Sequence, residues 1–154
     1  MPDAGCRGEN APEQAVCAGM EIVRQVVVFD AADLAVESAF WAGMLGGRVV
    51  TDSSWHSVID ADGRWVVGVQ FAPGHVAPDW PDGIEQQVHL DIHVNDPANA
   101  HAEAIALGAR LLKAADDLTA AVGHQVYADP AGHPFCLGWG HPDDEAIRRF
   151  LGEN

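Results

Sequence analysis

Within residues 88–94, His89, Asp91 and His93 alternate with Val88, Leu90, Ile92 and Val94. That period-2 pattern belongs to a strand buried on one face, and it sets two imidazoles and a carboxylate about 6 to 7 Å apart along the other. Three groups able to donate or accept in a row suit the floor of a binding site better than a solvated face. Two histidines at i and i+2 can reach one divalent metal ion, with Asp91 adding an oxygen, a set suited to zinc, nickel or iron. Asp91 can equally hold an imidazole in one tautomer for work as a general base. His89 therefore has three readings: metal ligand, base, or a hydrogen-bonded pocket histidine.

Other reactive types are fewer. Cys136 lies between Phe135 and Leu137 with no flanking basic group, which reads as a reduced, inert thiol. His133 sits in the turn formed by Asp129, Pro130, Ala131 and Gly132, at a pocket mouth or in solvent. Trp55, His56, Trp65, Tyr127 and Trp139 divide between core and pocket wall. His75, Trp80 and Asp82 fall in a proline-rich stretch that reads as a connector, with a lid or dimer contact as alternatives. The chain has no phosphate-binding glycine loop, dinucleotide fingerprint or GxSxG elbow, so nucleotide and serine-hydrolase classes lack support.

Composition narrows the partners. The 154 residues are 48% hydrophobic, enough for one sizeable core. Eight basic against 23 acidic residues give a net charge of -15, which repels a phosphate backbone and argues against nucleic acid as a partner. Three cysteines without CxxC spacing argue against a disulfide framework or zinc ribbon. No run of 18 apolar residues and no signal-peptide pattern occur, so no membrane association is expected and the cytoplasm is the expected compartment.

The elements that must position these residues follow from local pattern. Residues 1–20 lack apolar periodicity and read as a disordered tail, with Met20 a possible start. In residues 21–73, a strand over 22–29 leads to a helix capped by Asp33 and stopped by Gly46 and Gly47. Leu34, Glu37, Trp41 and Leu45 share one helical face. Strands over 48–51, 55–59 and 64–71 follow. Residues 74–87 form a Pro/Gly-rich linker. In residues 88–140 the order repeats: a strand over 88–94, a helix with Asp96 as cap and Pro97 at its first position, then strands at 110–114, 118–122, 125–127 and 135–139. A short helix closes the chain within 141–154.

The two halves overlay. Leu45-Gly46-Gly47-Arg48 matches Leu107-Gly108-Ala109-Arg110, and Asp33 matches Asp96, so the chain holds two copies of one βαβββ unit. With the helix end of each unit and the segment Tyr127-Ala128-Asp129-Pro130-Ala131-Gly132-His133-Pro134-Phe135-Cys136, this pattern resembles the vicinal oxygen chelate superfamily, in particular its glyoxalase-like domain subgroup. That resemblance implies an α+β fold in which two tandem modules form a half-open, curled mixed β-sheet with helices outside. It implies a small-molecule ligand in the cleft, commonly in a homodimer, with a lyase, isomerase or dioxygenase activity or a binding-only role of the bleomycin-resistance type. Where such proteins use a divalent metal, the four ligand positions fall here on Val26, Gln70, His89 and Cys136. Only His89 matches the usual ligand types. The candidate catalytic pair is then His89 with Asp91, and His93, Gln70, Trp55 and Cys136 are candidate ligand contacts.

Overall fold

The computed structural model describes residues 22–83 and 88–140. The elements run β1 (Val27–Ala31), α1 (Leu34–Met44), β2 (Arg48–Thr51), β3 (Trp55–Ile59), β4 (Trp65–Phe71), β5 (Leu90–His93), α2 (Pro97–Leu107), β6 (Arg110–Lys113), β7 (Gly123–Ala128) and β8 (Pro134–Trp139). They build two four-stranded sheets, β1-β4-β3-β2 in sheet A and β5-β8-β7-β6 in sheet B. In each, the first strand pairs parallel with the last while the remaining pairs are antiparallel. The expected α+β fold of two βαβββ modules is what forms, and neither sheet closes into a barrel.

Local chemistry explains both helices. The Asp33 carboxylate accepts from the Ala35 and Val36 amides at 3.0 Å each, and that of Asp96 from the Asn99 amide at 3.0 Å. These satisfy amides that the first turn leaves without helical partners. Helix α2 ends where Gly108 takes a left-handed conformation with φ of 113°, which costs a residue without a Cβ little.

Core packing joins the modules. Phe40 and Trp41 of α1 are buried against sheet A and also meet Phe135 of β8, with ring centroids 5.8 and 5.4 Å apart. Phe29 stacks on Trp41 at 4.7 Å, and Tyr127 stacks on Phe135 at 5.5 Å. One cluster containing Val58, Val67, Val69, Ala104 and Leu137 thus spans both sheets and both helices.

Four expected elements differ, among them the strand expected over 125–127, which runs from Gly123 to Ala128. The first strand occupies Val27–Ala31 rather than 22–29, because pairing with β4 begins only where Val27 meets Val67. The strand expected over 88–94 is confined to Leu90–His93, leaving His89 just before it. Residues 118–122 form turns and bends instead of a strand. There the Asp117 carboxylate accepts from the amide and hydroxyl of Thr119 at 2.7 Å each, offering the backbone a local alternative to a sheet ladder. The expected tail, most of the linker's end and the C-terminal helix lie outside the described residues.

Candidate functional site

Sheet B presents Leu90 and Ile92 to the core and turns Asp91 and His93 outward. Register then decides their neighbours. Asp91 pairs with Cys136 and His93 with Gly138, while His124 pairs with Gly138 from the other side. Opposed residues in a ladder share a face. The result is a recess of about 180 Å³ lined by His89, Asp91, His93, His124, Cys136 and Gly138.

Three ligand-type atoms converge there. His89 Nε2 stands 3.4 Å from Asp91 Oδ1, and one such atom from each of His89, Asp91 and Cys136 lies within 4.8 Å of the others. His89 and Asp91 are about half-exposed, so solvent and solutes reach them. Cys136 is half-buried, and burial together with the adjacent Asp91 carboxylate pushes its thiol up to about 11. It is a protonated, weak nucleophile unless a positive charge arrives. Of the residues singled out from sequence, His89, Asp91, His93 and Cys136 are therefore brought together. Gln70 and Trp55 are not. They face each other across β3 and β4 of sheet A, and neither they nor Val26 lines this recess.

Sheet A has its own open face. Trp55 and Trp65 meet edge to face at 6.0 Å, and the Trp55 ring lies against the Cα of Gly68, where a methyl group would overlap it. Their indole N–H groups donate to Ser57 Oγ at 3.1 Å and to the Val67 carbonyl at 2.8 Å. Tyr127 and Trp139, by contrast, are core residues: the Tyr127 hydroxyl accepts from Gln125 Nε2 at 2.6 Å, and Trp139 Nε1 donates to the Ala120 carbonyl at 2.9 Å.

A second titratable cluster lies between the modules. Glu37 of α1 and Asp129 of the β7–β8 turn are both buried. Trp41 Nε1 donates to Glu37 Oε1 at 2.7 Å and approaches Asp129 Oδ2 at 3.3 Å, and the Ala131 amide donates to Glu37 Oε2 at 3.0 Å. His133 Nδ1 lies 3.0 Å from Asp129 Oδ2 and 3.8 Å from Glu37 Oε1. Its ring is packed between Phe29 and His75, so His133 is an internal group rather than a solvated turn residue. His75 also binds the Ala131 carbonyl through Nε2 at 2.9 Å, which ties the connector to this turn.

Electrostatics in this cluster are strongly shifted. Burial raises Glu37 to about 7, against opposition from His133. Burial alone would lower His133, yet bonds to Asp129 and Glu37 hold it up at about 9. Asp129 goes below its ordinary value because His133 outweighs its burial. Although Glu37, Asp129 and His133 are spaced like metal ligands, the indole and amide donors already occupy the carboxylates, so the cluster reads as a link between modules.

Two of these participants had weak sequence signals. Glu37 falls on the apolar stripe of α1, where an acidic residue is out of place unless it has a buried partner. His124 belongs to the outward row of β7, but the expected strand began one residue too late to include it.

Paired βαβββ modules with open sheet faces define the class of the protein, and comparison with known proteins gives the family. A family model described as Glyoxalase-like domain matches residues 26–138. The chain belongs to the glyoxalase-like domain family of the vicinal oxygen chelate fold. Among curated proteins, none matches. Solved structures of similar fold include the fosfomycin resistance protein FosX from Listeria monocytogenes, 14% identical with a TM-score of 0.58, covering 82% of this chain and 98% of that one. A glyoxalase/bleomycin resistance protein from Albidiferax ferrireducens T118 is 19% identical with a TM-score of 0.56, covering 79% and 100%. A glyoxalase/bleomycin resistance protein/dioxygenase family enzyme from Burkholderia phytofirmans PsJN is 17% identical with a TM-score of 0.57, covering 75% and 97%. At these identities the likeness is one of fold.

Proposed function

We propose that the chain binds a small, oxygen-bearing organic molecule on the open face of sheet B, with His89 as the polar centre and Asp91 as its orienting partner. The observation that carries this reading is the convergence of His89, Asp91 and Cys136 in one solvent-reached recess with two further imidazoles. The donor set fits a divalent cation: one nitrogen, one oxygen and one sulfur give three protein ligands and leave a position for a ligand molecule. The causes that raise the Cys136 thiol, burial and a neighbouring carboxylate, are those a bound cation would offset. A cation held by His89, Asp91 and Cys136 would polarise an oxygen of the bound molecule.

The remaining groups act without it. His93 and His124 can each donate to or accept from a ligand oxygen, and Gly138 leaves room for close approach. In the cation-free state the Asp91 carboxylate can fix the His89 tautomer and leave the other ring nitrogen to take a proton from the ligand. Reaction classes consistent with this are lyase, isomerase and dioxygenase chemistry.

A binding-only role of the bleomycin-resistance type is the second reading. It is favoured by the first module, where Val26, just before β1, has no ligating atom and Gln70 of β4 is a weak neutral donor. We also propose a homodimer, because the edge strands β1 and β5 each end a sheet and β1 exposes Val27 and Val28.

Cobalt titration of tag-free protein tests the site. Saturable binding with a cobalt–thiolate charge-transfer band, lost in Cys136→Ser and weakened in His89→Ala, is the expected result. Binding that ignores both substitutions would refute a cation centre here. Should His89→Ala then retain full affinity for every compound that stabilises the wild type in a thermal screen, the His89-centred reading falls as well.

A further inference from the structure

A second recess of about 500 Å³ lies at one end of sheet A, lined by residues that include Arg24, Arg64, Gly63, Trp65, Val23 and Val66. Its charge runs against the rest of the molecule. The chain carries a net charge of -15 with eight basic residues, and Arg24, Arg48, Arg64, Arg110 and Lys113 are those among the described residues. Two of these five share this one recess. Arg64 has the Asp62 carboxylate beside it, and the Arg24 guanidinium rests over an indole.

The supporting geometry is fixed at both sides. Arg24 Cζ lies 5.5 Å from the centroid of the Trp65 ring, within range of a cation–π contact that orients the guanidinium. Trp65 is itself anchored by its N–H to the Val67 carbonyl at 2.8 Å and by its edge-to-face contact with Trp55. On the other side, the 60–64 hairpin is pinned: the Arg64 amide donates to Asp60 Oδ1 at 2.8 Å, and the Asp60 amide to the Arg64 carbonyl at 2.9 Å. The Arg64 guanidinium meets Asp62 at 3.4 Å with both side chains largely exposed, a pair weak enough to yield to a better-placed carboxylate. Val23, Val66 and the Trp65 ring supply an apolar wall beside the two cations.

We propose that this recess is a binding site for a small organic carboxylate with a ring-sized apolar body, its carboxylate held by Arg24 and Arg64 and its body against Trp65. Guanidinium forks match carboxylates in two-point geometry, which a neutral amide cannot reproduce. The site is separate from the histidine-lined recess of sheet B, and its occupancy does not depend on a cation there.

The experiment is calorimetric titration of the full chain, treated with chelator, with benzoate and with its neutral near-isostere benzamide. Benzoate is expected to bind saturably and at least about tenfold more tightly than benzamide. Its affinity should fall as salt rises. Arg24→Gln and Arg64→Gln should each weaken it about fivefold or more, while Arg110→Gln, which removes equal charge elsewhere, should leave it unchanged. The variants' melting curves establish that each is folded. Equal binding of benzamide, no saturable binding of benzoate, or arginine variants indistinguishable from Arg110→Gln would each overturn the proposal. Because chelator is present throughout, the outcome is independent of whether a cation binds at His89.

Discussion

Trp41 is the residue on which most depends, since one indole N–H serves two buried carboxylates from different modules. Trp41→Phe keeps the ring packing on Phe29 and Phe135 but removes that donor. Leaving buried carboxylates short of a donor costs about 1–3 kcal/mol, measurable as a lowered urea midpoint at unchanged slope. His133 makes the same cluster sensitive to pH. Its folded value near 9 stands above the ordinary 6.5, so the stabilisation is complete below about pH 6.5 and disappears as pH rises through 9. Glu37, held near 7 instead of 4.5, acts in the same direction at lower pH, because the folded form keeps its proton longer. Asp129, with a lowered value, opposes them only in acid. Unfolding free energy should therefore fall by on the order of 2–3 kcal/mol between pH 6.5 and 9, and His133→Gln should flatten that slope. A slope unchanged by the substitution would assign the pH dependence elsewhere.

At the scale of elements, helix α1 does more than cover sheet A. It carries Glu37, Phe40 and Trp41 to the second module, so fraying at its start loosens the contact between modules. Asp33→Ala removes two cap bonds and should cost about 1 kcal/mol. Asp96→Ala removes one, from a helix whose single buried residue is Ala104, and should disturb the β7–β8 turn less. Amide exchange at Ala131 and His133 separates the two: it should quicken in Asp33→Ala and stay near wild type in Asp96→Ala. Both caps were plain in the sequence, as were the glycine stops and the duplication, because each rests on chemistry local to a few residues. Strand ends were less legible. Residues 22–26 and Val88 have strand-like composition, yet pairing stops short of them, and a ladder's length is set by its partner. Residues 118–122 looked extended until the Asp117 side chain captured Thr119.

For the whole molecule, sequence located one candidate site but not the company its residues keep. Alternation put His89, Asp91 and His93 in one row. Only the pairing of β5 with β8 brings Cys136 beside Asp91, and only β7 adds His124. Gln70 came from the resemblance and Trp55 from its aromatic type, and both stand on the other sheet. For those positions to serve the same ligand as His89, the open faces of two sheets must meet, which a second copy of the chain would allow. Light scattering coupled to size exclusion should then give twice the 16.4 kDa chain mass, and Val28→Asp, placing a charge on the exposed edge strand β1, should shift it toward the monomer. A wild-type monomer at high micromolar concentration would confine the site to sheet B alone.

The histidine-lined recess of sheet B is the centre of the account, and metal content tests it most directly. Elemental analysis of protein made without a histidine tag or chelator should find about one divalent cation per chain, with anomalous scattering placing it among His89, Asp91 and Cys136. His89→Ala should lower it well below one per chain while leaving the fold intact. A folded wild type without stoichiometric metal, or metal located instead at Glu37, Asp129 and His133, would contradict the account.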